Sequence, residues 1–257
     1  YDGPFYNQKT IQTVIFGANV RWVRTNQDGT FWGCTNLRTV KGLPPINSMN
    51  GMFGNCVQLT DVSPIPNGVT TMYQTFFNCS SLVYAPVIPN GVTNMSLTFE
   101  GCTSLVNVPV IPNGVTTMAG AFTNCRKLVN APIISNSVTN TLCMFENCTN
   151  LVNVPFIPNG PTNIWGMFTH CYNLVNAPVI PNSVTNMYQT FYYCNHLSGN
   201  VVIKSNSVAN MRNCFDYVWN INVYCPAASD TMSLANTYVK SAGRGNVYDI
   251  NTYTGSY

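Results

Sequence analysis

The run FEGCTSLVNVPVIPNGVTTMAGAFTNC, residues 99–125, decides the fold. It opens and closes on the same phrase: Phe99 and Cys102 return 23 residues later as Phe122 and Cys125. The pattern Phe-x-x-Cys-x-x-Leu occurs eight times, with its cysteines at Cys34, Cys56, Cys79, Cys102, Cys125, Cys148, Cys171 and Cys194. The first step is 22 residues and the next six are each 23. A Pro-Asn-Gly or Asn-Ser turn keeps time with it, at Asn67, Asn90, Asn113, Asn136, Asn159, Asn182 and Asn206. A unit this short cannot bury its own apolar face. An uninterrupted period therefore means one structural unit stacked on copies of itself.

Within the unit the inward set reads Cys102, Leu105, Val108, Val110 or Ile111, Val115, Met118 and Phe122. Each is expected to stack on its counterpart about 4.8 Å above and below. The core is then a set of ladders: Phe on Phe, Leu on Leu, Cys on Cys. The stretch from Leu to Ile reads as a parallel strand, and Asn-Gly or Asn-Ser as a turn, since Asn and Gly tolerate positive φ. Met118 and Phe122, four apart, fit a single helical or 3-10 turn. Pro86, Pro109, Pro132, Pro155 and Pro178 recur inside the strand. Proline donates nothing to a β-ladder, so only two to four paired residues are expected per strand. The fold class is a β-rich solenoid of short parallel strands and 3-10 or short helical turns, in coils of about 23 residues, capped at both ends. Three parts are expected. Residues 1–30 are an N-terminal cap with a degenerate first coil, taken as Ile11 to Phe31. Residues 31–218 are the repeats, and 219–257 a C-terminal cap with a helix-compatible stretch near Ser229 to Val239.

Charge narrows the function classes. Only 7% of the 257 residues are charged, and the net charge is +3. Between Gly42 and Ile203 there are five charges: Asp61, Glu100, Arg126, Lys127 and Glu146. Disorder is excluded by an apolar content of 46%, a coiled coil by the shortage of Glu and Lys, and a nucleic-acid binder by the absence of a basic stripe. No apolar run is long enough for a helix to span a membrane. The neutral middle suits variable ionic conditions outside a cell; it equally suits packing against copies of itself. The chain opens Tyr-Asp-Gly-Pro without a signal-peptide pattern, and reads as a processed or trimmed product or part of something longer.

The chemistry-bearing residues offer no active site. Eight of the eleven cysteines share one inward position, where Cys acts as a small apolar residue, so free buried thiols are expected. Cys143, Cys214 and Cys225 lie outside that line, and a Cys214–Cys225 bridge in the cap is left open. No Cys-x-x-Cys occurs, and His170 and His196 are isolated, so no metal or cofactor is expected. His170 reads as an exposed loop residue. Glu100 and Glu146 share a repeat position two coils apart and read as solvated acids rather than a catalytic pair.

The run Phe-x-Asn-Cys-x-x-Leu followed by Ile-Pro-Asn-Gly/Ser-Val-Thr-x-Met resembles the BspA-like, or Treponema pallidum-type, leucine-rich repeats over about residues 11–225. The family's Ile before the helical turn is Met here, at Met72, Met95, Met118 and Met187, and the strand carries an extra Pro. The resemblance implies a solenoid without enzymatic activity, carried by cell-surface or secreted proteins and sometimes phage-encoded, and associated with adhesion.

The variable aromatic positions are the candidate binding residues: Tyr73, Trp165 and Tyr188 after the Met, and Tyr172, Tyr192 and Tyr193 near the Cys, with Phe77 beside them. Exposed Tyr and Trp offer large rigid contact area for a protein or a sugar; the same rings could simply cover the flank of the coils. Asn107, Asn130, Asn153 and Asn176 form a second constant row, either an amide ladder or a hydrogen-bonding face. The function expected is a non-enzymatic, extracellular, cell-surface or virion-surface adhesion and recognition module. Its partner would be a host or neighbouring-cell protein or glycan, with no nucleic acid. The alternative is a self-associating subunit of a surface filament, fibre or phage virion appendage.

Overall fold

The structure is a computed structural model that describes residues 3–22, 27–62, 64–108 and 110–255. It is a parallel β-solenoid with little helix. A single column of phenylalanines runs through it: Phe5, Phe31, Phe53, Phe76, Phe99, Phe122, Phe145, Phe168, Phe191 and Phe215. We number the coils one to ten by these residues. Successive rings lie 5.1–5.8 Å apart with planes within 14°. That spacing exceeds the strand separation of about 4.8 Å, as offset stacking requires. Cys, Leu and Val stack beside them, and Ile111, not Val110, points inward.

Each ladder thiol also donates a hydrogen bond. Cys102 Sγ reaches the carbonyl of Phe76, in the coil before, at 3.1 Å, and Cys79, Cys125, Cys148 and Cys171 repeat that bond at 3.1 Å. The same Phe76 carbonyl accepts the N–H of Cys79. A small residue carrying a weak donor thus fills the space and satisfies a buried acceptor. All eleven cysteines are free thiols; Cys225 faces Met232 across 3.9 Å, and no Cys214–Cys225 bridge forms.

Two neighbouring core positions trade volume. Where Met stands four residues before the Phe (Met72, Met95, Met118, Met187), the residue just before the Phe is small: Thr75, Thr98, Ala121, Thr190. Where the first position holds Thr141 or Ile164, the second is Met144 or Met167. All are buried, so in these coils the two side chains compensate in volume, whereas coil three accommodates Met at both positions, Met49 and Met52.

Strands are regular only at the ends. β1 (Thr13–Ile15), β2 (Thr39–Lys41) and β3 (Asp61–Val62) form one parallel sheet; β4 (Gly199–Val202), β5 (Ile221–Cys225) and β6 (Gly245–Asp249) form another. In between, pairing falls below the expected two to four residues, to single bridges such as Tyr84↔Asn107 and Asn130↔Asn153. The cause is the proline row. The residue four after the ladder Leu is Pro86, Pro132, Pro155 or Pro178 in these coils (Pro109 lies outside the described residues). At the same position β2 has Lys41 and β4 has Val201, and there the pairing survives.

The turn after each Met supplies the bonds the strand lacks. The N–H groups of Gln74, Phe76 and Asn78 donate to Ser96, Thr98 and Glu100 of the next coil; those of Thr75, Phe77 and Cys79 close i→i−3 turns. Continuous helix is prevented because Gln74 and Asn78 take left-handed backbone, φ 54° and 56°. Positive φ therefore sits two residues after the Met and two after the Phe. The Pro-Asn-Gly turns, expected to need it, have none. They need a small residue instead: a Cβ on Gly68 would come 3.2 Å from the carbonyl of Ile46 in the coil before. In two of the turns where Ser replaces Gly its hydroxyl bonds that same neighbouring backbone: Ser137 Oγ to Val115 O at 2.7 Å and Ser183 Oγ to Pro161 O at 2.8 Å.

The first coil begins earlier than Ile11. Phe5 stacks on Phe31 at 5.1 Å, Cys34 Sγ donates to its carbonyl at 2.9 Å, and Asn7 has φ 57°. At the other end α1 (Asp230–Ala235) is capped by Ser229 and runs into a π-helical turn, Asn236–Lys240. Ala235 and Val239 are buried against the last coil, and Arg244 ties Tyr238 O to Asp216.

Candidate recognition surface

The outward side chains are set by the same lines that build the core. Two residues after the Phe, where the backbone is left-handed, coils three to seven carry Asn55, Asn78, Gly101, Asn124 and Asn147. These are the residues that tolerate such backbone. Coils eight to ten carry His170, Tyr193 and Tyr217 there, at φ 58°, 60° and 65°. A bulky side chain in that region costs about 1–3 kcal/mol. The N–H groups of His170 and Tyr193 donate to Tyr192 O and Asp216 O of the following coils, which holds the backbone in place.

Three rings thus line up on consecutive coils, and the neighbouring positions add more. Tyr193 stacks on Tyr217 at 3.8 Å and on His170 at 5.2 Å. Tyr192 packs edge-on against His170, Tyr193 and Tyr217, and Tyr172 edge-on against His170. A hydrogen bond to Tyr217, then partial burial, pushes the Tyr193 hydroxyl up to about 12. Tyr217 is 47% exposed and Tyr172 37%. His170 is not the exposed loop residue expected: it is half-buried, and its Nδ1 is out of solvent with no partner, because the tyrosines close over it.

Of the six residues anticipated from sequence, Tyr172, Tyr192 and Tyr193 come together in this cluster. Trp165 and Tyr188 form a second pair, 6.0 Å apart, at the position after the Met. Asn163 and Asn186 position them by accepting their N–H groups at 3.0 and 2.9 Å, an Asx turn. Tyr73 stands apart on coil four, half-buried. Phe77 is flank cover: it stacks on Trp32, which lies across coil three where Gly54 leaves room, since a Cβ there would be 2.1 Å from the indole.

Sequence reasoning missed Tyr217 and His170, although both share the register of Tyr193. It also missed an apolar row on the strand side. Val87, Val110 and Ile133 are 79%, 89% and 72% exposed. With Tyr84, Ile88, Asn107 and Pro112 the first two line a hollow of about 400 Å³. Beside that row the amide ladder is partly formed: Asn153 Nδ2 donates to Asn130 Oδ1 at 2.9 Å.

Glu100 and Glu146 are not freely solvated. Both are half-buried, and burial, then Glu146, raises the Glu100 carboxyl above its ordinary value. Burial and the same acid push the Cys143 thiol up to about 12. Among the described residues no cluster of three or more His, Cys, Asp or Glu could hold a metal, and no helix is long and apolar enough to cross a membrane.

A solenoid of parallel coils with a Phe-Cys-Leu interior is a leucine-rich-repeat protein. The chain belongs to the BspA type leucine rich repeat family, whose model matches six copies over residues 1–128, 75–198 and 142–229. It is similar to the T. pallidum leucine rich repeat protein, at 27% identity over 63% of this chain and 77% of that one, with a TM-score of 0.51. A leucine rich cell surface protein of Faecalibacterium prausnitzii A2-165 shares the fold, at 20% identity over 98% of this chain and 79% of that one, TM-score 0.51. No curated protein matches. Membership makes this a repeat module of a protein-binding or adhesion kind. The comparisons lend no support to a filament or phage-tail subunit.

Proposed function

We propose that the chain is a non-enzymatic recognition module that works outside the cell, at a cell surface. It engages a protein or glycan of a host or neighbouring cell through the rings of coils eight to ten. The observation that carries this is the trio His170, Tyr193 and Tyr217, held in a backbone conformation that the other coils give to Asn and Gly. These aromatic side chains, of which Tyr217 is the most exposed, add nothing to the core, whose Phe column is continuous without them. Their gain is a rigid contact surface with few rotamers to freeze on binding. Weak charge leaves apolar contact and hydrogen bonding to carry the affinity, so binding should depend little on salt.

The test compares the chain with a Tyr172→Ala/Tyr192→Ala/Tyr217→Ala variant. Each is fluorescently labelled and applied to intact host and bacterial cells and to immobilised glycans and matrix proteins. The reading expects a surface bound by the first and not the second, with both melting at a similar temperature. Undiminished binding by the variant would remove the aromatic flank from the role.

A further inference from the structure

Five asparagines precede glycine: Asn50, Asn67, Asn90, Asn113 and Asn159. Four of them stand exposed at the Pro-Asn-Gly turns. Three of these turns are closed only by the next N–H: Val69, Val92 and Val115 donate to Pro66, Pro89 and Pro112, each at 3.1 Å. In the fourth, Pro161 has no N–H to give. Among the described residues, the N–H groups of Gly68, Gly91, Gly114 and Gly160 carry no hydrogen bond. Each is an uncommitted amide nitrogen, uncrowded by a side chain, next to a solvent-facing carboxamide.

Asn50 differs on both counts. The N–H of Gly51 donates to Tyr73 O at 2.8 Å, and Asn50 Oδ1 accepts from Thr71 Oγ1 at 2.7 Å. The Asn-Ser turns differ too. Ser137 and Ser183 are tied to the coil before through their hydroxyls, the N–H of Ser207 donates to Ser205 Oγ at 3.3 Å, and Asn136 Oδ1 is held by the N–H of Asn159. The molecule therefore carries open and protected versions of one chemical motif.

We propose that Asn67, Asn90, Asn113 and Asn159 are sites of spontaneous covalent modification, converting to aspartate and isoaspartate in the folded protein. The glycine nitrogen attacks Cγ of the preceding asparagine. A new N–Cγ bond forms, the Cγ–Nδ2 bond breaks, and the side-chain nitrogen leaves as ammonia, taking the glycine N–H proton. The resulting five-membered imide takes up one water. It opens at one carbonyl to aspartate or at the other to isoaspartate. Nothing is oxidised or reduced, and solvent is the only co-reactant.

The consequence is electrostatic. Four conversions replace four neutral amides by four carboxylates, taking the formal net charge from +3 to −1. Asn67, Asn90 and Asn113 occupy one turn position in successive coils, so their carboxylates form a column. It lies in a stretch that otherwise carries five charges in 162 residues. A surface with little charge repulsion acquires it with age, which opposes self-association and repels acidic partners.

The experiment ages the folded full-length chain in warm, mildly alkaline buffer. Peptide mass spectrometry and isoaspartyl methyltransferase labelling follow each site, with isoelectric focusing alongside. Conversion is expected at the four open turns and not at Asn50, Asn136, Asn182 or Asn206, with the isoelectric point falling in up to four steps. Gly91→Ser should silence Asn90 alone. Two results would overturn the proposal: an unmodified folded chain after a time in which the urea-unfolded chain converts, or conversion at Asn50 and the Asn-Ser turns as fast as at the open ones.

Discussion

Coils three to seven and coils eight to ten share one Phe column inside and differ outside. Both stack Phe on Phe and donate each ladder thiol to a Phe carbonyl of the coil before. Two residues after the Phe, the first group holds Asn and Gly and the second His170, Tyr193 and Tyr217. The interior varies little, by compensating or like-sized changes such as Val218 for Cys, because each side chain is the packing surface of its twin. The flank has that freedom, and in the last three coils it is used against the local backbone preference. The leucine-rich-repeat scaffold is thus nearly uniform, and its individuality is concentrated on the lines that the stack leaves facing solvent.

The strongest way to strike both groups at once is alkali. Burial raises the ladder thiols well above their ordinary value of 9.0, as in Cys79, Cys125 and Cys171. In the unfolded chain they ionise near that ordinary value; in the folded chain they stay protonated. Their contribution is fully present below pH 9.0 and is lost as pH rises beyond it. Each thiol removes about 1.4 kcal/mol of stability per pH unit in that range. Urea midpoints measured from pH 7 to 11 should collapse above 9; a flat profile would mean that the thiols are not held in the interior. Phe122→Ala comes next, with an expected loss of about 3–5 kcal/mol, since it empties one rung between Phe99 and Phe145. A melting temperature unmoved by that change would contradict the column.

A smaller effect comes from inside coil seven. Thr141 is fully buried, and its Oγ1 has no hydrogen-bond partner. It occupies the Met position of its coil, and Met144 takes up the missing volume. Thr141→Val keeps the shape and removes the unsatisfied hydroxyl, so the chain should gain about 1–3 kcal/mol. Thr141→Met should gain less than Thr141→Val, because Met144 already fills part of that space. If both variants matched the parent in urea denaturation, the volume trade between the two positions would be accidental.

The period made the interior legible: eight copies of one phrase name the ladders without coordinates. The rest failed where a single letter changed or where neighbours were chemically alike. Coil one was hidden because Gln8 and Ile11 stand where Cys and Leu are expected after Phe5. Tyr217 was hidden because Val218 replaces the ladder Cys of the last coil. Val110 and Ile111 are adjacent and equally apolar, so only the backbone path decides that the first faces water. Asn-Gly points the left-handed positions to the turns, where Gly is needed for closeness instead. Read correctly, the Asn and Gly two residues after each Phe would have marked the line on which three large rings are out of place.

That line gives the finest test of the difference between the two groups. Tyr193→Asn restores the residue that Asn78, Asn124 and Asn147 show to be at ease in left-handed backbone. Relief of that strain should add about 1 kcal/mol of stability, reduced by the lost stacking on Tyr217 and His170. The reverse change, Asn124→Tyr, should cost a similar amount, because coil six has no neighbouring rings on this line to stack against: Gly101 precedes it and Asn147 follows. Thermal denaturation of the two variants reads the backbone term with opposite signs in the two regions. If Tyr193→Asn were instead as damaging as a core substitution, the rings of coils eight to ten would belong to the fold. The case for a surface shaped to meet a partner would then fall with the comparison.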